Sequence, residues 1–277
     1  MTSPVATRLD KSEVLAGLFA CWDSLNHLLG GLTEQQWTQP VPLPEWSVRD
    51  VVAHIAGTES VLLGIPTPES DLDVSTFEHV RNEIGAMNER WVRHLRDESG
   101  AELLRRFRSV TEERRAVLVG MSDQAWNAPT MTPVGPDSYG RFMRVRIFDC
   151  WMHELDIRDG LGLPASGPEL VGPASRQALD EMAAVMGFVV GKLGGAPQGS
   201  RVAIELTGPL ARTIRVAVDG RAAVVDDFGG HAPTAVIRMD GVEFTRVAGG
   251  RAAPGAVEVD GDRDVGARIV QHLNYVM

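Results

Sequence analysis

The sequence has few cysteines, few lysines and no long apolar run. Its 277 residues include only Cys21 and Cys150 as cysteines, so no disulfide framework is expected. Lysine occurs only at Lys11 and Lys192, and every other basic residue is arginine. No stretch approaches the roughly 20 consecutive apolar residues that a membrane span needs. These absences argue against a disulfide-stabilised secreted domain and against an integral membrane protein.

Positive charge is also in short supply. The chain carries 37 acidic and 27 basic residues, which gives a formal net charge of -10 and an isoelectric point near 5.2. Since phosphate contacts need a basic surface, nucleic acid is not expected as a partner. Residues 1–11 lack the apolar core of a signal peptide, so we expect a cytoplasmic location and no membrane partner. We expect small-molecule partners, and a monomer or homodimer.

Several common catalytic motifs are missing from the sequence. It contains no Gly-rich phosphate loop, no His-Glu-x-x-His pair and no Gly-x-Ser-x-Gly elbow. Cys21 and Cys150 both lie in apolar, helix-like segments, so neither resembles an exposed nucleophile with a lowered pKa. The sequence therefore gives no sign of nucleotide binding, serine hydrolase or cysteine-nucleophile chemistry.

Apolar residues recur at helical spacing through the first two thirds of the chain. Ser47, with Asp50 three residues later, has the pattern of a capping box at a helix start. Residues 123–138 are rich in proline and glycine and are predicted to form a loop. Helices are predicted at 14–28, from Ser47 to about 62, and at 77–95, 101–119, 139–161 and 173–193.

The character of the chain changes near residue 196. Alternation and β-branched residues predict strands at 202–206, 213–218 and 235–238, with short helices at 241–248 and 264–274. A linker is predicted at about 194–200. The predicted organisation is mainly α plus α+β: a helical bundle over 1–195, followed by a small α+β domain over 196–277.

The segment from Arg146 to Arg158 contains the most informative polar pattern. Asp149 and His153 are four residues apart, which places them on one face of a helix. His54 lies on another helix among apolar neighbours, where a polar ring needs a partner if it faces the core. If the two helices pack together, two imidazoles and one carboxylate form a three-ligand site, typical of catalytic zinc and suited also to iron or nickel.

Other interpretations of these residues stay open. His54 could be a hydrogen-bonded core residue, and Asp149 with His153 could be an ordinary helix-surface pair. Cys150 could be a fourth ligand or a small buried filler. The segment 152–156 resembles half of a zincin motif without the second histidine. Five tryptophans are interpreted as core residues or pocket walls: Trp22, Trp37, Trp46, Trp126 and Trp151.

The motif Trp46-Ser-Val-Arg-Asp-Val-Val-Ala-His54 resembles the second helix of DinB-like metalloenzymes. Within that superfamily the chain is most similar to the mycothiol-dependent maleylpyruvate isomerase family, which includes mycothiol S-transferases. The resemblance implies a DinB-like four-helix bundle and a small sterol-carrier-like C-terminal domain. It also implies that His54, Asp149 and His153 bind a divalent metal ion, which we expect to be zinc. Many members have Glu at the acid position, so Asp149 departs from the pattern.

The same resemblance implies a function. It indicates an enzyme that activates mycothiol for attack on a small electrophile, as an S-transferase or, alternatively, as a maleylpyruvate-type cis-trans isomerase. The stretch Phe244-Thr-Arg-Val-Ala-Gly-Gly-Arg251 resembles one that carries a functional arginine. That role is assigned to Arg246 as a catalytic and cofactor-binding residue, with Arg251 as the alternative, although Arg246 could equally be a surface residue. A non-catalytic ligand-binding protein with a structural metal is the third hypothesis.

Overall fold

The structure is a computed structural model that describes residues 6–255 and 257–276. Contacts divide the chain into two units, Met1–Ala174 and Ser175–Met277. The first unit is mainly helical, and the second is built around a β-sheet. The predicted fold class, a helical bundle followed by a smaller α+β domain, is therefore confirmed. Within the described ranges, every helix is too short or too polar to cross a membrane.

Eight helices begin and end in the described part of the first unit. They are α1 (Lys11–Gly30), α2 (Glu34–Trp37), α3 (Val48–Leu62), α4 (Glu83–Leu95), α5 (Gly100–Gly120), α6 (Asp123–Trp126), α7 (Tyr139–Leu161) and α8 (Pro168–Val171). The bundle consists of α1, α3, α5 and α7: α1 packs against α5 and α7, and α3 packs against α5, α7 and the additional helix α4.

Local side-chain contacts set the starts of these helices. Asp50 accepts a hydrogen bond from the Ser47 backbone nitrogen at 2.8 Å, which confirms the predicted start of α3. Helix α4 begins later than the predicted residue 77, because the Asn82 side chain accepts from the Gly85 nitrogen and caps the helix there.

A short β-hairpin occupies part of the predicted loop at 123–138. Strands β1 (Pro129–Thr132) and β2 (Gly135–Ser138) pair antiparallel between α6 and α7. Gly135 has φ of 105°, a conformation that a side chain would strain, and it closes the two-residue turn. The loop prediction was wrong for these eight residues because the proline and glycine that suggested a loop serve the turn and an edge strand. It was also wrong for the four residues of α6, a short helix that the Ser122 side chain caps.

The second unit contains a five-stranded sheet among its described residues. Its strands are β3 (Arg201–Thr207), β4 (Arg212–Asp219), β5 (Arg221–Val225), β6 (Ala235–Asp240) and β7 (Glu258–Gly261), in the order β5-β4-β3-β6-β7. The pair β3 and β6 is parallel and the other pairs are antiparallel. The three predicted strands are confirmed, whereas β5 and β7 were missed. Both are edge strands with mostly exposed residues, so their sequences lack the alternation of a half-buried strand.

Three helices and a π-helical turn accompany the five-stranded sheet. They are α9 (Pro173–Phe188), the π-helical turn (Val189–Leu193), α10 (Gly241–Ala248) and α11 (Arg263–Gln271). Asp180 of α9 pairs with Arg212 of β4 at 2.6 Å, and the backbone of Gly191 lies against Ala222 of β5. These contacts associate most of α9 with the sheet. The division by contacts therefore falls after Ala174, before the boundary predicted after Gly195.

Candidate metal centre

Helices α3 and α7 bring together the three residues that the sequence predicts as metal ligands. His54 Nε2 lies 3.2 Å from Asp149 Oδ2, and His153 Nε2 lies 3.6 Å from Asp149 Oδ1. The centroids of the two imidazole rings are 4.9 Å apart. One potential ligand atom from each residue lies within 4.8 Å of the other two. The predicted convergence of two imidazoles and one carboxylate is thus present, and its use as a metal site remains a proposal.

The environment sets the charge of these side chains. Burial lowers the pKa of His54, even though the Asp149 carboxylate beside it acts in the opposite direction. Burial alone would raise the pKa of Asp149, but Arg146 and the two histidines outweigh it and hold that pKa well below its usual range. At neutral pH, His54 is therefore an uncharged imidazole with a free lone pair and Asp149 is an ionised carboxylate, as metal ligation requires. The Asp149 side chain is 29% exposed, so the cluster can be reached from solvent.

A carboxylate lies behind His153. His153 Nδ1 is 2.9 Å from Oδ2 of Asp156, and both residues are buried. When Nδ1 donates to this carboxylate, Nε2 presents its lone pair to the cluster, an arrangement commonly found behind metal-bound histidines. Nδ1 of His54 has no hydrogen-bond partner among the described residues. The sequence interpretation did not assign this role to Asp156, although its position one helical turn after His153 was a readable signal.

A second buried group lies behind Asp149. Arg146 Nη1 lies 2.5 Å from Asp149 Oδ2, and its Nε donates to Glu59 Oε1 at 2.9 Å. The other oxygen of Glu59 accepts from Arg114 Nε, also at 2.9 Å. The sequence interpretation missed all three partners. Arg146 is three residues before Asp149 and could have been found from helical spacing, but the contacts of Glu59 depend on tertiary packing.

The two remaining candidates on α7 have other roles. Cys150 lies outside the ligand cluster found among the described residues, and its Sγ is 3.6 Å from Arg146 Nη2. Burial raises the pKa of the Cys150 thiol to about 12, although Arg146 opposes the shift. Its burial and its position outside the cluster fit the interpretation as a small buried filler. Glu154, from the half zincin motif, accepts hydrogen bonds from Ser24 and Arg158, so its carboxylate is engaged away from the cluster.

Trp46 forms a wall beside the two histidines. Its ring centroid lies 5.5 Å from that of His54 and 6.2 Å from that of His153. Its Nε1 is 3.3 Å from Oε2 of the buried Glu89 on α4. The residue before it, Glu45, has φ of 64°, in the left-handed region that side chains rarely adopt. The other tryptophans named above are buried core residues: Trp22, Trp37, Trp126 and Trp151.

The candidate arginines lie in the second unit. Arg246 is in the last turn of α10, and Arg251 follows that helix; both are partly buried. Arg251 Nη1 donates to the Gly249 carbonyl at 2.5 Å. Their assignment as catalytic and cofactor-binding residues remains a prediction.

The fold and the cluster together define a class of protein: a four-helix bundle with a two-histidine, one-aspartate cluster, followed by a small α+β domain. Sequence comparison agrees with this class. The mycothiol maleylpyruvate isomerase N-terminal domain matches residues 18–158, and the C-terminal domain of the same family matches residues 176–268. The chain belongs to the mycothiol-dependent maleylpyruvate isomerase family.

Individual relatives agree with the family match. The chain is 27% identical over 213 residues to two uncharacterized proteins of Mycobacterium tuberculosis strains, MT0041 and Rv0036c, covering 74% of this chain and 76% of each relative. It also resembles crystal structures of the mycothiol-dependent maleylpyruvate isomerase and of a histidine-to-alanine mutant of that enzyme. Both have a TM-score of 0.59 and 16% identity, and cover 91% of this chain and 93% of theirs. At this identity the likeness concerns the fold.

Proposed function

We propose that this chain is a metal-dependent enzyme that uses mycothiol as its thiol cosubstrate against a small electrophile. The observation that carries the proposal is the convergence of His54, Asp149 and His153 within 4.8 Å. Family membership supports mycothiol as the thiol.

The donor set fits a divalent metal, with zinc as the first choice. Two imidazole nitrogens and one carboxylate are zinc ligands, and three protein ligands are typical of catalytic sites, whereas structural sites usually have four. The Asp156 carboxylate, which lies beside Nδ1 of His153, is the kind of partner that orients a metal-bound histidine. A metal bound here would favour the thiolate form of the cosubstrate at neutral pH.

The protein's own side chains support a thiol supplied from outside. Cys21 and Cys150 are buried, and burial raises the pKa of both thiols, so neither provides a nucleophile. The partly buried Trp46 supplies an apolar wall that limits water beside His54 and His153. Arg246, with Arg251 as the alternative, is proposed to bind a carboxylate of the thiol or the electrophile through a bidentate pair.

Two outcomes share the same first step. In S-transfer, the thiolate sulfur forms a bond to an electrophilic carbon while the bond from that carbon to its leaving group breaks. The leaving group departs with the electron pair, and the thioether is the product. In cis-trans isomerisation, the thiolate adds to one carbon of a carbon-carbon double bond, and the π electrons move onto the conjugated carbonyl group. The adduct rotates about the resulting single bond, and the electrons return to re-form the double bond as the carbon-sulfur bond breaks and the thiolate leaves. Isomerisation is kept as the second candidate reaction because the chain belongs to a family named for an isomerase.

The test begins with metal analysis and a mycothiol assay on the purified full chain, using maleylpyruvate and a simple alkylating electrophile. We expect one divalent metal per chain, loss of turnover with a chelator, and loss of metal in His54→Ala. His27→Ala, at an exposed position on α1, is the matched control and should retain both. Accumulated thioether identifies a transferase, and recovered thiol with isomerised product identifies an isomerase. Metal-free protein, or His54→Ala that binds metal like the wild type, would contradict the proposal.

A further inference from the structure

We propose that Arg146 is a positioning residue of the metal centre, which Glu59 fixes in place and which in turn orients the Asp149 carboxylate toward the two histidines. This inference rests on the metal site proposed above. It assigns a role in metal binding to a buried ion pair that contains no metal ligand.

The three side chains form a continuous chain of contacts between α3 and α7. Glu59 is fully buried and Arg146 is 3% exposed. Arg146 uses separate nitrogens for separate partners: Nε for Glu59, Nη1 for Asp149 and Nη2 for the sulfur of Cys150. Because the guanidinium is planar and its donors have fixed directions, holding Nε on Glu59 also fixes where Nη1 points.

Asp149 needs such a partner more than the histidines do. Its side chain is 29% exposed, against 5% for His54 and 8% for His153, so packing alone restrains it least. A carboxylate oxygen has two lone pairs, so Asp149 Oδ2 can accept from Arg146 and still face the cluster. The arginine therefore restricts the orientation of the most exposed ligand without using up its donor atoms.

The network of ion pairs formed by Glu59, Arg114, Arg146 and Asp149 is electrically neutral without His54 and His153. Glu59 and Asp149 contribute two negative charges, and Arg114 and Arg146 contribute two positive charges. Removing the charge of Arg146 would change both the orientation of Asp149 and the electrostatic attraction of the site for a cation. A lysine at position 146 keeps the positive charge but lacks the planar guanidinium with its fixed donor directions. Arg146→Lys therefore isolates the effect of Asp149 orientation from the effect of charge.

Arg114 provides a matched control within the same network. It donates from Nε to the other oxygen of Glu59 at the same distance, 2.9 Å, and it is fully buried. Its Nη2 continues to the Tyr139 hydroxyl at 3.0 Å instead of to Asp149. Arg114→Lys therefore removes an equally buried guanidinium group while leaving Arg146 beside Asp149 in place.

The experiment measures the zinc affinity of the full-length wild type, Arg146→Lys and Arg114→Lys by competition with a chromophoric chelator. We expect Arg146→Lys to bind zinc roughly 10- to 100-fold more weakly, as removal of partners behind metal ligands typically does, and Arg114→Lys to keep wild-type affinity. The visible spectrum of the cobalt-loaded protein should change in Arg146→Lys only. Melting temperatures of the metal-free proteins should fall in both variants.

Four results would contradict the inference or the proposed metal site on which it rests. Wild-type zinc affinity in Arg146→Lys, or an equal loss in both variants, overturns the positioning role. Failure of the wild type to bind zinc contradicts the proposed function instead. If Arg146→Lys does not fold, Glu59→Gln replaces it: this variant weakens the anchor of Arg146 at nearly constant volume and should bind zinc more weakly, and unchanged affinity would overturn the inference.

Discussion

Single side chains behind the cluster determine which atoms face it. Asp156 holds His153 through Nδ1, and Arg146 holds Asp149 through Oδ2. These partners do not reach the centre of the cluster, yet they leave His153 Nε2 and the Asp149 carboxylate directed toward His54. At this scale, a metal site requires partners behind its ligands as well as the ligands themselves.

The cysteines give a prediction at the residue scale. Burial raises the pKa of the Cys150 thiol to about 12 and that of Cys21 well above its ordinary value, so both thiols stay protonated and shielded near pH 8. We expect neither to react with a thiol reagent in the folded protein on the timescale of minutes. Denaturant should release both thiols in the same assay, because an unfolded cysteine ionises near pH 8.5. Rapid labelling of the folded chain would contradict the buried placement.

At the scale of elements, α3 is the most enclosed helix of the bundle. Every residue from 48 to 60 except Arg49 is buried, because the helix packs against α4, α5 and α7. Gly57 permits part of this packing. A Cβ at that position would lie 2.4 Å from Cγ of Trp91 on α4, closer than any real contact. The close approach of α4 to α3 therefore depends on the absence of a side chain at residue 57.

This dependence predicts the effect of a single methyl group. Gly57→Ala should lower the free energy of unfolding by about 1–3 kcal/mol, the usual cost of overpacking a well-packed core. Gly120→Ala, at the end of α5, is the control, because a Cβ there meets no atom within 4 Å. Its effect should stay within about 0.5 kcal/mol. Urea denaturation followed by circular dichroism measures both, and equal stabilities of the two variants would refute the packing argument.

At the scale of the whole molecule, the chain separates its proposed tasks between its two units. The three proposed ligands and the side chains behind them, Glu59, Arg146 and Asp156, all belong to Met1–Ala174, whereas Arg246 and Arg251 belong to Ser175–Met277. We therefore expect substitutions of Arg246 or Arg251 to change thiol affinity without changing metal affinity.

The variant Arg246→Ala tests this separation in the full chain. We expect its metal content and zinc affinity to equal those of the wild type, and its KM for mycothiol to rise several-fold through loss of a charged hydrogen bond. Steady-state kinetics at varied mycothiol concentrations provide the measurement, and Arg251→Ala shows whether the alternative arginine carries the role. If neither variant changes the kinetics, the arginine assignment is wrong while the metal site is unaffected.

The sequence by itself determined the local features of this protein. Periodicity placed the bundle helices, Ser47 and Asp50 marked the start of α3, and the four-residue spacing placed Asp149 and His153 on one face of α7. These features depend on residues within a few helical turns of each other, so a pattern in the sequence is sufficient to predict them.

Only the tertiary structure decided which faces meet. His54 and Asp149 are 95 residues apart, and Glu59 and Arg146 are 87 apart. Their contacts exist because α3 packs against α7, and the packing partner of a helix depends on the shapes and burial of all the helices together. The edge strands β5 and β7 were hidden for the same reason, since their pairing comes from the neighbouring strand and not from an apolar pattern of their own.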